Sequence, residues 1–368
     1  MTFIQGIVPP HILEHIRDHG TPEQRQLAEV ALEQHRSVIG SREMAPGVAT
    51  TRALGAPPAT VAIYDAQGST TLPGSLVRGD TDPATGDAET DEAHDGLRAT
   101  LDFYSGVYSR NSVDDAGLDL IGTVHYGHAY DNAEWTGSQM LFGDGDGTLF
   151  NRFTIAIDVM GHELTHGVTQ YTAALDYQDQ AGALNESMSD VFGSMVKQYH
   201  ADPKQTADQA DWLIGAGLLA AGIHGVALRS MKDPGTAYDD PQLGKDPQPA
   251  DMAHYVHTSD DNGGVHINSG IPNRAFYLAA AGFGGYAWDK AGRIWYATLT
   301  GGHLRASATF AAFAQLTVTN AQSLFGADAV TVVRDAWEQV GVATKVPATD
   351  GQPHHKPKKK PHTTPSGA

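Results

Sequence analysis

The chain has 368 residues, 40% of them hydrophobic, no cysteine and a formal charge of −19. That length accommodates two domains with their own cores, and the missing cysteines exclude disulfides. The acidic balance argues against nucleic acid as a partner, and no apolar run reaches the roughly 20 residues of a membrane-spanning helix.

Residues 1–45 read as mostly helical. Thr21 is placed as an N-cap, with Pro22 at the first helical position and Gln24 completing a capping box; the helix is expected to end near Arg36. Residues 46–58 continue a connector that starts near 37. The first residues, Met1-Thr2-Phe3-Ile4-Gln5-Gly6-Ile7, lack a basic start and a long apolar core before Pro9-Pro10, so they do not read as a classical signal peptide. The expectation is a cytoplasmic protein, or one exported by a leaderless route.

Residues 59–153 alternate and are turn-rich, with strands expected at 60–64, 120–126 and 139–142. The acidic run 80–92 reads as a loop. Gly143-Asp144-Gly145-Asp146-Gly147 reads as a tight turn, because it lacks the later bidentate Glu of a calcium loop. Residues 154–345 are dominated by helical periodicity, including 154–170, 211–221, 271–281 and 329–340. The tail 346–368 holds four Lys and one Asp, a charge of +3 that leaves about −22 on the body. It is low in apolar residues and expected to be disordered.

Ile155, Ile157, Val159, Met160, Leu164 and Val168 make 154–170 an apolar helix that should be buried. His162-Glu163-Leu164-Thr165-His166 lies within it. Histidines four apart share one helix face, and with a carboxylate they can hold Zn²⁺ and leave a position for water. Buried without a metal or hydrogen bonds, these polar groups would cost several kcal/mol. Glu163 can reach the water rather than the metal.

Downstream, Asn185-Glu186-Ser187-Met188-Ser189-Asp190 reads as the first turn of a second helix, with Glu186 and Asp190 on one face. Glu186 can be a third ligand, and Asp190 can accept the free ring N–H of a zinc histidine; capping a helix start is the other use of such acids. The pairs His125/His128 and His254/His257 have no adjacent acid at ligand spacing and read as structural or solvated. His354, His355 and His362 in the tail could bind metal adventitiously.

These two motifs and Asp261-Asn262-Gly263-Gly264-Val265-His266-Ile267-Asn268-Ser269-Gly270 resemble, in order and spacing, those of the thermolysin-like zinc endopeptidases. The resemblance runs over about residues 59–344. Pro9-Pro10-His11-Ile12-Leu13 resembles the short prosegment of the protealysin-like branch. The fold this implies is α+β: a β-rich N-terminal domain, a helical C-terminal domain, and the HExxH helix at their junction beside the cleft.

The resemblance also implies roles. His162, His166 and Glu186 match the zinc ligands. Glu163 matches the residue that takes a proton from the attacking water and passes it to the leaving amine. His266 and Tyr177 match the pair that hydrogen-bonds the oxyanion. Asp261 matches the carboxylate orienting that histidine, and Asp190 the one orienting His162. Asn132, Ala133 and Arg229 match residues that bind the substrate backbone. Phe150, Phe153, Val159, Ile214 and Leu228 match the apolar pocket for the side chain after the scissile bond.

Two departures stand out. Glu134 occupies the position where the family usually has Phe, which puts an acid at the cleft edge. Lys197, Leu213 and Ala216 replace acids of the family's calcium pair, while Asp158 and Asp211 remain. With six to eight oxygen ligands required, that calcium pair is expected to be absent, with Lys197 pairing the two remaining acids.

The expected protein is a monomeric zinc endopeptidase acting on proteins or peptides, cutting before apolar residues. It is expected to be made as a precursor whose own prosegment inhibits it, with autocleavage within about 41–51. An aminopeptidase using Glu134 for the substrate amine is one alternative. A silent binding or toxin-like module tethered by the basic tail is another, against which the intact Glu163 and His266 speak.

Overall fold

The computed structural model describes residues 6–42 and 57–345. Residues 43–56, which hold most of the expected connector and processing stretch, and the tail 346–368 lie outside the described residues.

The chain begins with a helical hairpin, α1 (Pro10–His19) and α2 (Pro22–Arg42). The capping box forms: Thr21 N–H donates to Gln24 Oε1 at 2.9 Å, and Gln24 N–H donates to Thr21 Oγ1 at 3.3 Å. α2 runs past Arg36 to Arg42. No proline interrupts 37–42, and a lone Gly40 costs only about 1 kcal/mol within a helix. The buried stripe Ile12, Leu13 and Ile16 docks α1 onto the body of the protein.

Five strands follow: β1 (Val61–Asp65), β2 (Ser75–Arg78), β3 (Leu120–Val124), β4 (Ala133–Trp135) and β5 (Met140–Phe142). They form one sheet in the order β2-β1-β3-β5-β4. β1, β3 and β5 run parallel, with Val61 opposite Leu120 and Gly122 opposite Met140, and β2 and β4 pair antiparallel at the two edges. A parallel β1–β3 pair needs a crossover. It is supplied by α3 (Ala88–Tyr108), a helix in the stretch whose acidic start reads as a loop. Asp87 caps it by accepting from Thr90 N–H, and Glu89 and Asp91 favour its positive N-terminal end. Ala93, Leu97, Tyr104 and Val107 then repeat at helical spacing and are buried.

Beyond a short 3-10 turn, Phe153–Ile155, come α4 (Ile157–Gln170) and α5 (Asp179–His200). α4 packs on α3 and β4 on one side and on α5 on the other, so it sits at the junction of the sheet-rich and helical halves. A Cβ on Gly193 of α5 would stand 2.4 Å from the Asp158 carbonyl of α4, so the two backbones approach as only glycine allows. α5 starts well before Asn185, because Ala181-Gly182-Ala183-Leu184 extends it upstream. Glu186 and Asp190 therefore lie within the helix, not in its first turn.

The stretch 211–221 is not helical. β6 (Leu213–Ile214) pairs antiparallel with β7 (Arg229–Ser230), and Gly215 and Gly217 turn the chain with φ of +72° and +90°. α6 (Asp261–Asn268), α7 (Gly270–Phe283), α8 (Ala291–Thr300), α9 (Phe310–Phe325) and α10 (Ala327–Gln339) complete the helical half. One apolar cluster runs through both halves and includes Ile7 and Val8 of the N-terminal segment. Among the described residues no helix is long and apolar enough to cross a membrane.

Candidate active site

α4 presents His162 and His166 toward Glu186 on α5. The two Nε2 nitrogens are 3.1 Å apart, and the Glu186 oxygens stand 3.5 Å from each of them. The far side of each ring is fixed: His162 Nδ1–H donates to Asp190 Oδ1 at 2.8 Å, and His166 Nδ1–H donates to Asn185 Oδ1 at 2.9 Å. Asn185 is oriented in turn by donating to the Leu175 carbonyl at 3.2 Å. With their protons on Nδ1, both Nε2 lone pairs point at one spot.

Two lone pairs facing at 3.1 Å repel, and Glu186 Oε2 is buried with no hydrogen-bond partner among the described residues. This arrangement asks for a cation. Ligands about 2.0–2.1 Å from tetrahedral zinc stand about 3.3–3.4 Å from one another, so the donor set and spacing fit Zn²⁺. Glu163 is outside the ligand group. Its Oε2 accepts the Trp135 backbone N–H at 2.8 Å, which fixes the carboxylate.

Asp190 is saturated. Its Oδ1 also accepts Arg229 Nη2–H at 2.8 Å, and its Oδ2 accepts Arg229 Nε–H at 2.9 Å and Asn273 Nδ2–H at 2.8 Å. Burial alone would raise its pKa, but Arg229 and His162 outweigh burial and hold it well below the usual carboxylate range. Arg229 is likewise buried, and Asp190 holds its pKa above the ordinary value against desolvation.

The start of α6 folds back on itself. Asn262, Gly263 and Gly264 have positive φ, and a Cβ on Gly263 would stand 2.2 Å from Asp179 Oδ1. That turn brings Asp261 over His266, whose Nδ1–H it accepts at 2.7 Å and whose backbone N–H it accepts at 2.8 Å. Burial pulls the His266 pKa down, but Asp261 and then Glu186 pull harder and leave it raised. His266 Nε2 lies 3.3 Å from the Tyr177 hydroxyl, which donates to Glu186 Oε1. Gln248 Nε2 donates to the His266 carbonyl at 2.8 Å and steadies the backbone there.

The N-terminal segment lies along the edge strand β4. Ile7 N–H donates to the Ala133 carbonyl at 3.0 Å, and Val8 N–H donates to Asn132 Oδ1 at 3.0 Å. Arg229 Nη1–H donates to the Ile7 carbonyl at 3.0 Å. The Ile7 side chain is fully buried in the same cluster as Phe150, Phe153, Val159, Ile214 and Leu228.

Hydrogen bonds and close contacts join His162, His166, Glu186, Asp190, Arg229, Tyr177, His266 and Asp261 into one cluster, and Asn132 and Ala133 meet the same N-terminal segment that Arg229 holds. The reading of Glu134 is corrected. Glu134 is fully buried, as are Ala133 and Trp135 on either side of it, and it accepts the Tyr130 hydroxyl at 2.7 Å; with the N-terminal segment laid along β4 it is not an open acid at the cleft edge. His125 also differs from its reading, since the start of α3 brings Asp87 and Glu89 near it. These acids answer other demands: Asp87 caps α3, Glu89 lies 3.9 Å from Arg152, and His125 Nδ1 is held by Asp144 at 2.9 Å. Asn185, Asn273, Gln248 and Trp135 were given no role by the sequence. Asn185 directly precedes Glu186, so its place was within reach; the other three act from distant segments.

Comparison with known proteins agrees. Residues 48–170 match the model of the thermolysin metallopeptidase catalytic domain, and 173–342 that of its alpha-helical domain. An "Extracellular metalloprotease" of Pectobacterium carotovorum subsp. carotovorum is 54% identical over 93% of this chain and 97% of its own. "Protease PrtS" of Photorhabdus sp. (strain Az29) is 48% identical over 93% of each chain. The precursor of protealysin, a metalloproteinase from Serratia proteamaculans, superposes with a TM-score of 0.85 at 54% identity, over 92% of this chain and all of that one. A relative this similar that is named extracellular points to secretion and overturns the expectation of a cytoplasmic protein; export by a leaderless route stays compatible with it. That expectation rested on the composition of a few terminal residues, which carries no information about the compartment of a folded relative. The HExxH helix, the Glu186 ligand position and the two matched domains together make this chain a zinc metallopeptidase of the thermolysin family.

Proposed function

We propose that the chain is the precursor of a secreted endopeptidase that cleaves proteins before apolar residues, with residues 1–45 as its inhibitory prosegment. One observation carries this reading: Ile7 and Val8 are hydrogen-bonded by Asn132, Ala133 and Arg229, the three groups expected to hold a substrate backbone. With its N–H on the Ala133 carbonyl and its carbonyl on Arg229, Ile7 takes the place of the residue after a scissile bond, and its side chain is fully buried; Phe150, Phe153, Val159, Ile214 and Leu228 are the residues proposed to receive it. A Cβ on Gly6 would come within 2.5 Å of the Ala133 carbonyl, so the segment fits the strand edge closely.

The residue roles follow from position. His162, His166 and Glu186 would hold zinc, which when bound supplies Lewis acidity to water and to the scissile carbonyl. Glu163, anchored by the Trp135 N–H, takes the proton of the attacking water and delivers it to the leaving nitrogen. Tyr177 and the Asp261-oriented His266 donate to the developing oxyanion. Asp190, with Arg229 and Asn273, fixes His162. The Tyr130 hydroxyl already engages Glu134 at 2.7 Å, which speaks against its use by an aminopeptidase to bind a free amine.

Peptides blocked at the N-terminus test this. The matured enzyme should cut them, and replacing leucine by glycine after the scissile bond should lower kcat/KM about 100-fold, as burying a leucine side chain is worth about 2–3 kcal/mol. Equal rates for the two peptides, or cleavage of unblocked peptides alone, would overturn the assignment.

We further infer that Lys197 stands in for the calcium pair. Its ammonium lies 2.9 Å from Asp158 Oδ2 and 2.9 Å from Asp211 Oδ1, and donates to the Leu213 carbonyl at 2.6 Å. Burial lowers its pKa, but the two acids outweigh burial and leave it raised. EGTA should therefore leave the Tm unchanged, while Lys197→Met, which strands the buried Asp158, should destabilise by about 3 kcal/mol. Scanning calorimetry with and without EGTA decides; a large EGTA-dependent fall in Tm would refute the substitution.

A further inference from the structure

The prosegment helix carries three histidines, His11, His15 and His19, spaced four apart and so on one face. That face meets the catalytic body. His11 Nε2 lies 3.0 Å from the Tyr238 hydroxyl, and His15 Nε2 lies 3.2 Å from the Pro241 carbonyl. The His15 and His19 rings stack with centroids 4.1 Å apart.

His11 is part-buried, with its inner ring nitrogen shut off from solvent. Its Nδ1 is enclosed and has no hydrogen-bond partner among the described residues. A neutral ring tolerates this, since the bare nitrogen only forgoes an acceptor's bond. Protonation would put an N–H without an acceptor on that enclosed nitrogen and partly desolvate a positive charge, and each is costly. We propose that protonation of His11 releases the prosegment from the cleft, so that the precursor opens and matures in acidic surroundings. This rests on the zymogen reading above.

The groups facing His11 decide the sign. From β7 comes Arg229, a buried cation; from α6 come His266 and Asp261; from the segment just before the short strand 239–240 comes Tyr238, with Asp246 next to it. On α1 itself the neighbours are Glu14 and His15. Asp261 favours a proton on His11, but it is already engaged by His266 at 2.7 Å, while Arg229 and His266 oppose one. Burial is the largest influence, and it brings the His11 pKa down to about 4. A histidine in a detached, solvated segment has a pKa near 6.5. Because the docked value is the lower one, docking is fully supported above about pH 6.5 and weakens as pH falls toward 4. At pH 5 these values correspond to docking weakened by roughly 30-fold.

The test uses the full zinc-loaded chain carrying Glu163→Ala, which cannot trim itself. Hydrogen exchange of residues 7–19, corrected for intrinsic rates, is compared at pH 7.5 and pH 5.0 with and without a second substitution at His11. His11→Leu removes the titrating group, and His11→Gln keeps a side-chain donor for Tyr238 without titrating. Opening should be roughly 30-fold more frequent at pH 5.0 with His11 present, and the difference should vanish in whichever His11 variants fold. Exchange of α4 and zinc content serve as controls for the catalytic body. Equal protection of 7–19 at both pH values, or a pH effect that persists without His11, overturns the proposal. Absence of protection already at pH 7.5 would instead sink the zymogen reading.

Discussion

Glu163→Ala should remain full length and lose proteolysis by about 10³-fold or more, the upper part of the range for removing a general base. Glu163 is not among the residues that converge on the metal position, so zinc content should not change. The stability effect should be small and of mixed sign. Removing a buried carboxylate relieves desolvation, while the Trp135 N–H loses its 2.8 Å acceptor, worth about 1–3 kcal/mol. Intact mass, casein cleavage and zinc content followed together on wild type and variant check this. A variant that still trims its N-terminus would mean that another group moves the proton, and the nearest alternatives, Tyr177 and His266, would have to take that role.

Asp190→Leu should be the most destabilising single change in the site. Asp190 is fully buried and accepts four hydrogen bonds, two of them from the buried Arg229 guanidinium. Its loss leaves that charge uncompensated, at about 3–5 kcal/mol, which lowers Tm by roughly 10 °C in a protein of this size. His162 also loses the acceptor that fixes its tautomer, so zinc affinity should fall by about 10–100-fold. The double variant Asp190→Leu/Arg229→Met separates these effects. With both charges gone, stability should largely return, but zinc affinity and activity should not. Recovery of activity in the double variant would show that Asp190 serves only to neutralise Arg229. Denaturant unfolding and zinc titration of the three proteins distinguish the outcomes.

The same two residues show why part of the site was readable and part was not. His162, Glu163 and His166 are local: four-residue spacing on a helix fixes their relation whatever the rest of the chain does. The Thr21–Gln24 box is local in the same sense, and it forms as the spacing requires. Arg229 and Asn273, by contrast, reach Asp190 from β7 and α7. No periodicity within α5 announces either partner, because the contact exists only once the helical half has folded.

Misread elements have equally particular causes. The acids at the start of α3 resemble a solvated loop until Asp87 is recognised as a cap for the apolar repeat behind it. Residues 211–221 carry helix-like apolar spacing, but Gly215 and Gly217 adopt positive φ and the segment pairs with β7 instead. Glu134 looks exposed in a list of cleft residues, yet all of β4 is buried and Glu134 accepts the Tyr130 hydroxyl.

By itself the sequence determined the metal-binding pair and its adjacent carboxylate, the third ligand by resemblance, and the helical N-terminal segment. These rest on spacing along single helices and on side-chain chemistry, which survive without knowledge of the fold. Only the tertiary structure decided which oxygens and amides complete the site, because those bonds join residues far apart in the chain. Tertiary packing alone lays residues 6–8 along β4 under Arg229, and encloses His11 Nδ1 where a proton would have no acceptor. Both follow from the docking of one segment against an edge strand, whose unpaired backbone groups accept an added chain wherever the side chains fit.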